Sequence, residues 1–159
     1  MRTQFKALLY LVGIYLLGTP AILVHAATSQ DVLVLDNQTK EGLALGRYLT
    51  LLRDEKGRLT YQDVNQADIA QLFTSVVFRS VNLGFDNRSY WYRLVIRNQT
   101  TPPVEKERWV LSIPFPPLDT VDVYVATADG ELSITRAGDQ RPPLSDALTH
   151  RDYAVPLKL

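Results

Sequence analysis

The sequence predicts an all-β domain, a jelly-roll-like antiparallel β-sandwich with one short helix, preceded by a signal peptide. Short runs of alternating apolar and polar residues recur along the chain, separated by Gly, Pro, Asn and Asp. Helical spacing of apolar residues is confined to one short stretch. The chain contains no Cys, so its 159 residues have neither a disulfide framework nor a thiolate metal site. This length allows one such domain.

The N-terminal 26 residues have the layout of a secretory signal peptide. Arg2 and Lys6 carry positive charge near the start, and Ala7 to Leu17 is an unbroken apolar run. Small residues follow a Gly-Thr-Pro interruption, so we expect cleavage after Ala26. An uncleaved anchor is the alternative, because the apolar stretch would almost cross a bilayer as a helix. In both cases residues 27–159 form one domain outside the cytoplasm.

The first half of this domain is predicted to contain two strands and the helix. Val32–Leu35 and Tyr48–Leu52 are short apolar runs that end before polar turns. Thr60, with Asp63 three residues later, has the spacing of a capping box and predicts a helix start. Apolar residues at helical spacing follow, so the helix is expected to continue toward Phe73.

The second half is predicted to contain only strands. Phe73–Leu83 is a mostly apolar run, and Tyr90–Asn98 alternates most regularly. Pro-rich or polar segments separate the other runs, and Ala-Asp-Gly at 128–130 favours a hairpin turn. The remaining strands are predicted at Trp109–Ile113, Val121–Val125, Leu132–Thr135 and Tyr153–Leu159. Because the last run has no polar tail, we expect the sequence to be part of a longer protein.

Composition disfavours several classes of function. Lys and Arg together number 17, as do Asp and Glu, so no broad basic surface predicts nucleic-acid binding. No serine lies in a nucleophile motif, so His150 has no nucleophile to activate, and His25 lies in the export segment. No Gly-rich phosphate loop is present. The acidic residues match no defined calcium loop. The sequence therefore predicts no enzymatic activity, no cofactor and no bound metal.

The strand at Tyr90–Asn98 has an unusual second face. Alternation places its apolar residues on the core face and Trp91 and Arg93 on the opposite face. An indole ring beside a guanidinium suits a ring-shaped ligand with hydroxyl or carboxyl groups, through stacking and bidentate hydrogen bonds. The alternative is structural: Trp91 packs under a loop, and Arg93 pairs with an acid such as Asp119 or Asp122.

Two further places could contribute to the same site. Asp122 and Tyr124 share one face of their strand, and they would join the Trp91 face if the two strands are neighbours. Asp139 and Arg141 lie in a polar loop that two prolines follow, and such a loop can edge a binding site. A solvated strand face and a rigid connection are the alternatives. The predicted ligand-binding residues are Trp91, Arg93, Asp122, Tyr124, Asp139 and Arg141.

The order of motifs between Leu59 and Leu159 resembles a known family. The matching pieces include Leu59-Thr60-Tyr61-Gln62-Asp63-Val64, Asn82-Leu83-Gly84, Tyr90-Trp91-Tyr92-Arg93-Leu94, Trp109-Val110-Leu111, Val121-Asp122-Val123-Tyr124 and Gly138-Asp139. On these pieces the chain resembles the type two extracellular domain of bacterial seven-transmembrane receptors with diverse intracellular signalling modules (7TMR-DISM).

The resemblance implies a periplasmic sensor domain, similar in fold to carbohydrate-binding modules, that binds a small, sugar-like molecule. It also implies a partner on the same polypeptide, the transmembrane region of a receptor in the inner membrane. In the family this region feeds a diguanylate cyclase or a histidine kinase. The alternative function is a periplasmic protein-interaction or dimerisation module, such as a homodimer, with no small ligand.

Overall fold

Strands make up most of the part of the chain that the structure describes. The computed structural model describes residues 4–11, 31–39, 41–76, 88–100, 109–114, 118–141 and 153–157. The strands are β1 (Gln4–Leu11), β2 (Leu33–Leu35), β3 (Leu49–Asp54), β4 (Thr74–Ser75), β5 (Ser89–Asn98), β6 (Trp109–Ile113), β7 (Thr120–Ala126), β8 (Leu132–Ala137) and β9 (Tyr153–Leu157). A 3-10 turn at Gly46–Tyr48 and two helical turns, α1 (Tyr61–Val64) and α2 (Ala67–Ala70), connect them.

Seven of these strands form one sheet, called the main sheet below. Its order is β4-β3-β5-β1-β7-β8, with β2 also paired to β5. The β3–β4, β3–β5 and β7–β8 pairs are antiparallel, whereas β1 runs parallel to both β5 and β7, and β2 runs parallel to β5. The main sheet is therefore mixed where the sequence predicted antiparallel pairing, since alternation fixes the faces of a strand but not the direction of its neighbours.

A second, two-stranded sheet completes the sandwich. It pairs β6 with β9 in antiparallel register. One cluster of buried side chains contains residues of both sheets, among them Ile96 of β5, Val123 of β7, Leu111 of β6 and Val155 of β9. Burying these alternate apolar residues between two sheets is the main stabilisation that such a fold has available. The structure thus confirms the predicted all-β sandwich.

The helical segment covers the opposite face of the main sheet. There a smaller buried cluster joins Leu52 of β3 and Trp91 of β5 to Val64 of α1 and to Phe73. The main sheet is therefore covered on both faces: by the β6–β9 sheet on one, and by the segment that contains α1 and α2 on the other.

The predicted helix between Thr60 and Phe73 is two separate turns, which corrects the prediction. The capping box is present: the Asp63 N–H donates to Thr60 Oγ1 at 3.3 Å, and the Thr60 N–H donates to Asp63 Oδ2 at 2.8 Å. The Asn65 side chain then donates to the Tyr61 carbonyl at 2.8 Å, and Gln66 is extended. A side-chain amide that serves a helix carbonyl favours a helix end, and the next turn starts afresh.

Most predicted strands lie where the sequence placed them. Trp109–Ile113 is reproduced as β6, and β7 and β8 are each slightly longer than predicted. The predicted hairpin turn connects them, with the Thr127 N–H donating to the Glu131 carbonyl at 2.9 Å. Of the predicted strand Phe73–Leu83 only β4 is seen, and positions 77–83 lie outside the described residues. No helix in the described ranges is long and apolar enough to cross a membrane.

Candidate ligand-binding face

Four of the six predicted site residues lie on the helix-covered face of the main sheet, called the aromatic face below. The strands that carry them, β5 and β7, are not direct neighbours, because β1 lies between them. In the register of these three strands, position 6 of β1 pairs with both Trp91 and Asp122, and position 8 pairs with both Arg93 and Tyr124. Residues in such rows share a face, so the four side chains come together across β1.

Three aromatic rings form a stack on this face. The Trp91 and Tyr124 ring centroids are 5.7 Å apart with 28° between the ring planes, and those of Tyr124 and Tyr61 are 5.3 Å apart with 20°. Trp91 is 0% exposed, whereas Tyr124 and Tyr61 are half-buried. Tyr124 is the middle ring, with Trp91 on one side and Tyr61 on the other. The outer face of Tyr61 and the edges of the two tyrosine rings are therefore the aromatic surface that a ligand could reach.

Arg93 fastens the helical segment to the sheet. Its Nη2 donates to the Val64 carbonyl at 2.9 Å, and its Nη1 lies 3.4 Å from the Ala70 carbonyl. Its guanidinium carbon also lies 3.8 Å from the centre of the Phe73 ring, a cation–π distance. A cationic donor at the carbonyl ends of both helical turns holds them against β5. Arg93 thus positions the segment that carries Tyr61.

A charged group lies beside the stack. Asp122 and Arg141 form an ion pair at 2.5 Å, with side chains 15% and 27% exposed. Arg136 of β8 is the register partner of Asp122. The pKa of Tyr124 is raised, first by burial and then by the negative charge of Asp122, while Arg136 and Arg141 act in the opposite direction. The charges of one carboxylate and two guanidinium groups therefore act on the Tyr124 hydroxyl.

Asp139 lies in the same loop as Arg141 but has a different partner. Tyr153 of β9 donates its hydroxyl to Asp139 Oδ1 at 2.8 Å, and burial together with this bond raises the pKa of Tyr153 to about 12. Gly138 has a φ of 125°, and a Cβ there would come within 2.4 Å of the Asp119 carbonyl oxygen, so the loop needs glycine. The structure thus brings Arg141 to Asp122 and ties Asp139 to β9.

Sequence reasoning missed three residues of this face. Tyr61 follows the capping threonine, and its position gave no sign that it would stack on a strand residue. Ile134 and Arg136 of β8 pair with Tyr124 and Asp122, and alternation along Leu132–Ala137 was the signal that could have found them. Among the described residues no group of three or more His, Asp or Glu side chains could hold a metal ion.

Comparison with known proteins matches the chain to a protein family. The family model described as 7TMR-DISM extracellular 2 matches residues 46–159. The matched range contains all three stacked rings, the charged group beside them and the helical segment. No curated protein and no solved structure matches the chain.

Proposed function

Because the chain belongs to the family of 7TMR-DISM extracellular domains, the extracellular sensor domains of membrane receptors, we propose that it is the ligand-sensing input domain of such a receptor. The ligand is a small, sugar-like molecule, and it binds on the aromatic face. One observation carries this proposal: the half-buried rings of Tyr61 and Tyr124, from two elements, stack on each other, and Tyr124 shares a strand face with Asp122 of the Asp122–Arg141 pair.

The chemistry of this face suits a sugar ring. The flat apolar side of a pyranose packs against aromatic rings, and its hydroxyl groups need both donors and acceptors at the edge of those rings. The outer face of Tyr61 would supply the packing surface, and the edge of the Tyr124 ring would border it. Asp122 is the acceptor, and the guanidinium groups of Arg141 and Arg136 are the donors. Since Asp122 and Arg141 already hold each other in place, binding would cost less side-chain entropy.

The position of the site also suits signalling. A ligand on Tyr61 and Tyr124 would contact the helical segment and β7 at once, and Arg93 fixes how the helical segment sits on β5. A ligand changes a receptor only if its affinity differs between two states. The two states proposed here differ in the placement of the helical segment. The transmembrane region of the same receptor transmits the difference to a diguanylate cyclase or a histidine kinase.

Export by the N-terminal segment is part of the proposal. Cleavage after Ala26 would leave a periplasmic domain that begins at Ala27. Mass spectrometry of the protein secreted into the periplasm tests this directly. A mass that corresponds to an intact N-terminus would contradict cleavage and favour the anchor.

A thermal-shift screen against sugars and organic acids tests the ligand. A compound at 100 times its Kd should raise the free energy of unfolding by about 2.7 kcal/mol. Tyr124→Ala and Arg141→Ala should abolish the shift. Arg53→Ala is the matched control, because Arg53 forms an exposed ion pair with Glu55 on another part of the surface. If both site variants still bind the compound as wild type does, the assignment of the site is wrong.

A second candidate, a protein-interaction module, is favoured by the edge strand β8. Leu132 and Ile134 are 39% and 45% exposed, and β8 ends the main sheet. An exposed apolar edge strand is suited to pairing with another chain. If no compound shifts the melting temperature but protein concentration does, this function replaces the ligand-sensing one.

A further inference from the structure

The middle of the main sheet is occupied by the N-terminal strand. β1 pairs with β5 from Gln4↔Ser89 to Leu11↔Ile96 and with β7 from Gln4↔Thr120 to Tyr10↔Ala126. In the described part of the chain, no other strand joins β5 to β7. In these described strands, the backbone hydrogen bonding between the two halves of the main sheet, β4-β3-β5 and β7-β8, therefore runs only through Gln4–Leu11.

The same residues lie within the proposed signal peptide. If cleavage occurs after Ala26, the inner edges of β5 and β7 lose their hydrogen-bond partners. These edges lie over buried side chains, among them Leu94, Ile96 and Val123, where water cannot replace the missing partners without reaching the core. A sheet with an open gap at its centre exposes two long unpaired edges. The gap must therefore close or take another strand.

Direct closure would be costly. Strands in a sheet lie about 4.8 Å apart, so β5 and β7 are separated by roughly 9.6 Å across β1 and would have to move together by one strand spacing. Their outer edges are already held by β3 and β8. The movement would also displace the rings of Trp91 and Tyr124, which stack across β1. The geometry favours replacing the strand.

We propose that the space between β5 and β7 is a strand-acceptor slot, and that in the exported protein an extended segment of the receptor's own membrane-linked region fills it in place of Gln4–Leu11. This inference rests on the proposed function, because membership of a receptor sensor family is what puts a membrane region on the same polypeptide. A tethered strand has a high effective concentration, which favours it over a strand from another molecule.

The slot defines the chemistry of its occupant. The strand runs parallel to β5 and β7, and its core-side positions lie among Leu94, Val121 and Val123, so they require apolar side chains. Its other face lies beneath the stacked rings of Trp91 and Tyr124. Occupancy of the slot thus assembles the aromatic stack, and a segment linked to the membrane would join the ligand-binding face to the transmembrane region.

Hydrogen exchange on the full chain tests the slot, with the peptide Gln4–Leu11 as the probe. The chain is produced in the cytoplasm so that its N-terminus is retained, and Ala7→Pro with Leu9→Pro removes backbone donors of β1. We expect the slot-facing amides of β5 and β7 to exchange faster in this variant than in wild type. The peptide at 100 times its Kd should slow their exchange about 100-fold. A peptide with the same two prolines is the control.

Two outcomes of this experiment would overturn the proposal. Slot-facing amides that stay protected in the proline variant without peptide would mean that β5 and β7 pair directly. Amides that become exposed but do not respond to the peptide would mean that no strand is accepted. Neither outcome depends on a sugar, whereas the ligand-binding proposal is tested by the thermal-shift screen. The two proposals can therefore be contradicted independently.

Covalent trapping is a second experiment, and it does not require the proline variant to fold. Val123 is the register partner of position 7 of β1, and Thr135 is its partner on the outer side, on β8. Because the chain has no Cys, Val123→Cys creates a single thiol. In the exported protein, from which Gln4–Leu11 has been cleaved, a peptide with Cys at position 7 should form a disulfide with Val123→Cys in the presence of a mild oxidant, and far less with the control, Thr135→Cys. Equal yields at both positions would contradict a slot.

The identity of the occupant is tested in the intact receptor. A photoactivatable diazirine amino acid at position 123 should attach to a segment of the same polypeptide's membrane-linked region, identified by mass spectrometry. Attachment to Gln4–Leu11, to a second copy of the chain or to another protein would overturn the proposed occupant.

Discussion

The two faces of the main sheet are built by the same strands, yet they differ in composition and in partner. On the sandwich face, β7 presents Val121, Val123 and Val125 to the β6–β9 sheet, and none of these valines is more than 4% exposed. On the aromatic face, the residues between them, Asp122 and Tyr124, are half-buried and contact other polar or aromatic groups. One strand thus serves a dry core and a polar surface at the same time.

The sandwich face contributes mainly to the stability of the fold, whereas the aromatic face is the one that can rearrange. A close-packed apolar core such as that of the sandwich face resists rearrangement, because a change in one side chain is felt by its neighbours. On the aromatic face the helical segment is held by a few directed contacts, chiefly those of Arg93, and by one aromatic stack. Replacing a few directed contacts by contacts with a ligand costs less free energy than rearranging the apolar packing of the sandwich face. A ligand-dependent change is therefore expected on the aromatic face.

The largest expected effects come from removing one buried side chain on each face. Leu94→Ala should lower the free energy of unfolding by about 2–5 kcal/mol, and Trp91→Ala by about 3–5 kcal/mol, since both leave cavities. Urea unfolding measures these losses. Ligand affinity, titrated where the variants are folded, should stay unchanged in Leu94→Ala and fall in Trp91→Ala. Equal affinity in the two variants would remove the functional distinction between the faces.

Arg93→Met should cost about 1.5–3 kcal/mol of unfolding free energy, because it removes charged hydrogen bonds to the Val64 and Ala70 carbonyls. Limited proteolysis should cut within the helical segment sooner than in wild type. Arg53→Met, at an exposed ion pair with Glu55, is the control and should change stability by less than about 0.5 kcal/mol. Unchanged proteolysis of Arg93→Met would show that Arg93 does not hold the segment.

Thr60→Ala should cost about 1 kcal/mol, since it removes the side-chain half of the capping box, whereas Thr60→Ser should cost little. The pKa of Asp63 is lowered, first by the hydrogen bond from the Thr60 backbone and then by the one from its side chain. The resulting stabilisation is present above the ordinary pKa of 3.8 and is lost as pH falls through the lower, folded-state value. Thr60→Ala should therefore lose less stability in acid than wild type, as acid unfolding curves would show.

The smallest effect concerns Tyr153, whose pKa rises from 10.0 to about 12 on folding. Its neutral hydroxyl contributes stability that is fully present below pH 10 and is lost as pH rises through about 12. The free energy of unfolding of Tyr153→Phe should therefore fall less steeply over that pH range than that of wild type. Tyr61→Phe is a comparison variant on the opposite face. An identical alkaline slope in wild type and Tyr153→Phe would show that burial and the bond to Asp139 do not raise the pKa of Tyr153 in solution.

Strand positions were predictable here because a strand repeats every two residues and needs no knowledge of its partner. The bounds of β6 match the prediction, and Thr60 with Asp63 located the start of α1. The break at Gln66 was not predictable from apolar spacing, because it depends on the amide of Asn65 taking the Tyr61 carbonyl. The site was predictable only in part: Trp91, Tyr124 and Asp122 were placed on their faces, but Tyr61 and Arg136 reach them from other elements.

The amino-acid sequence by itself determined the all-β class, the alternation that gives each strand a core face and an aromatic face, and the start of the helical segment. All three depend on neighbours within a few residues along the chain. The tertiary structure decided that β1 separates β5 from β7, that Trp91 is covered, and that Arg141 pairs with Asp122. These features depend on which distant segments pair and in which direction, and alternation is the same for every choice of partner.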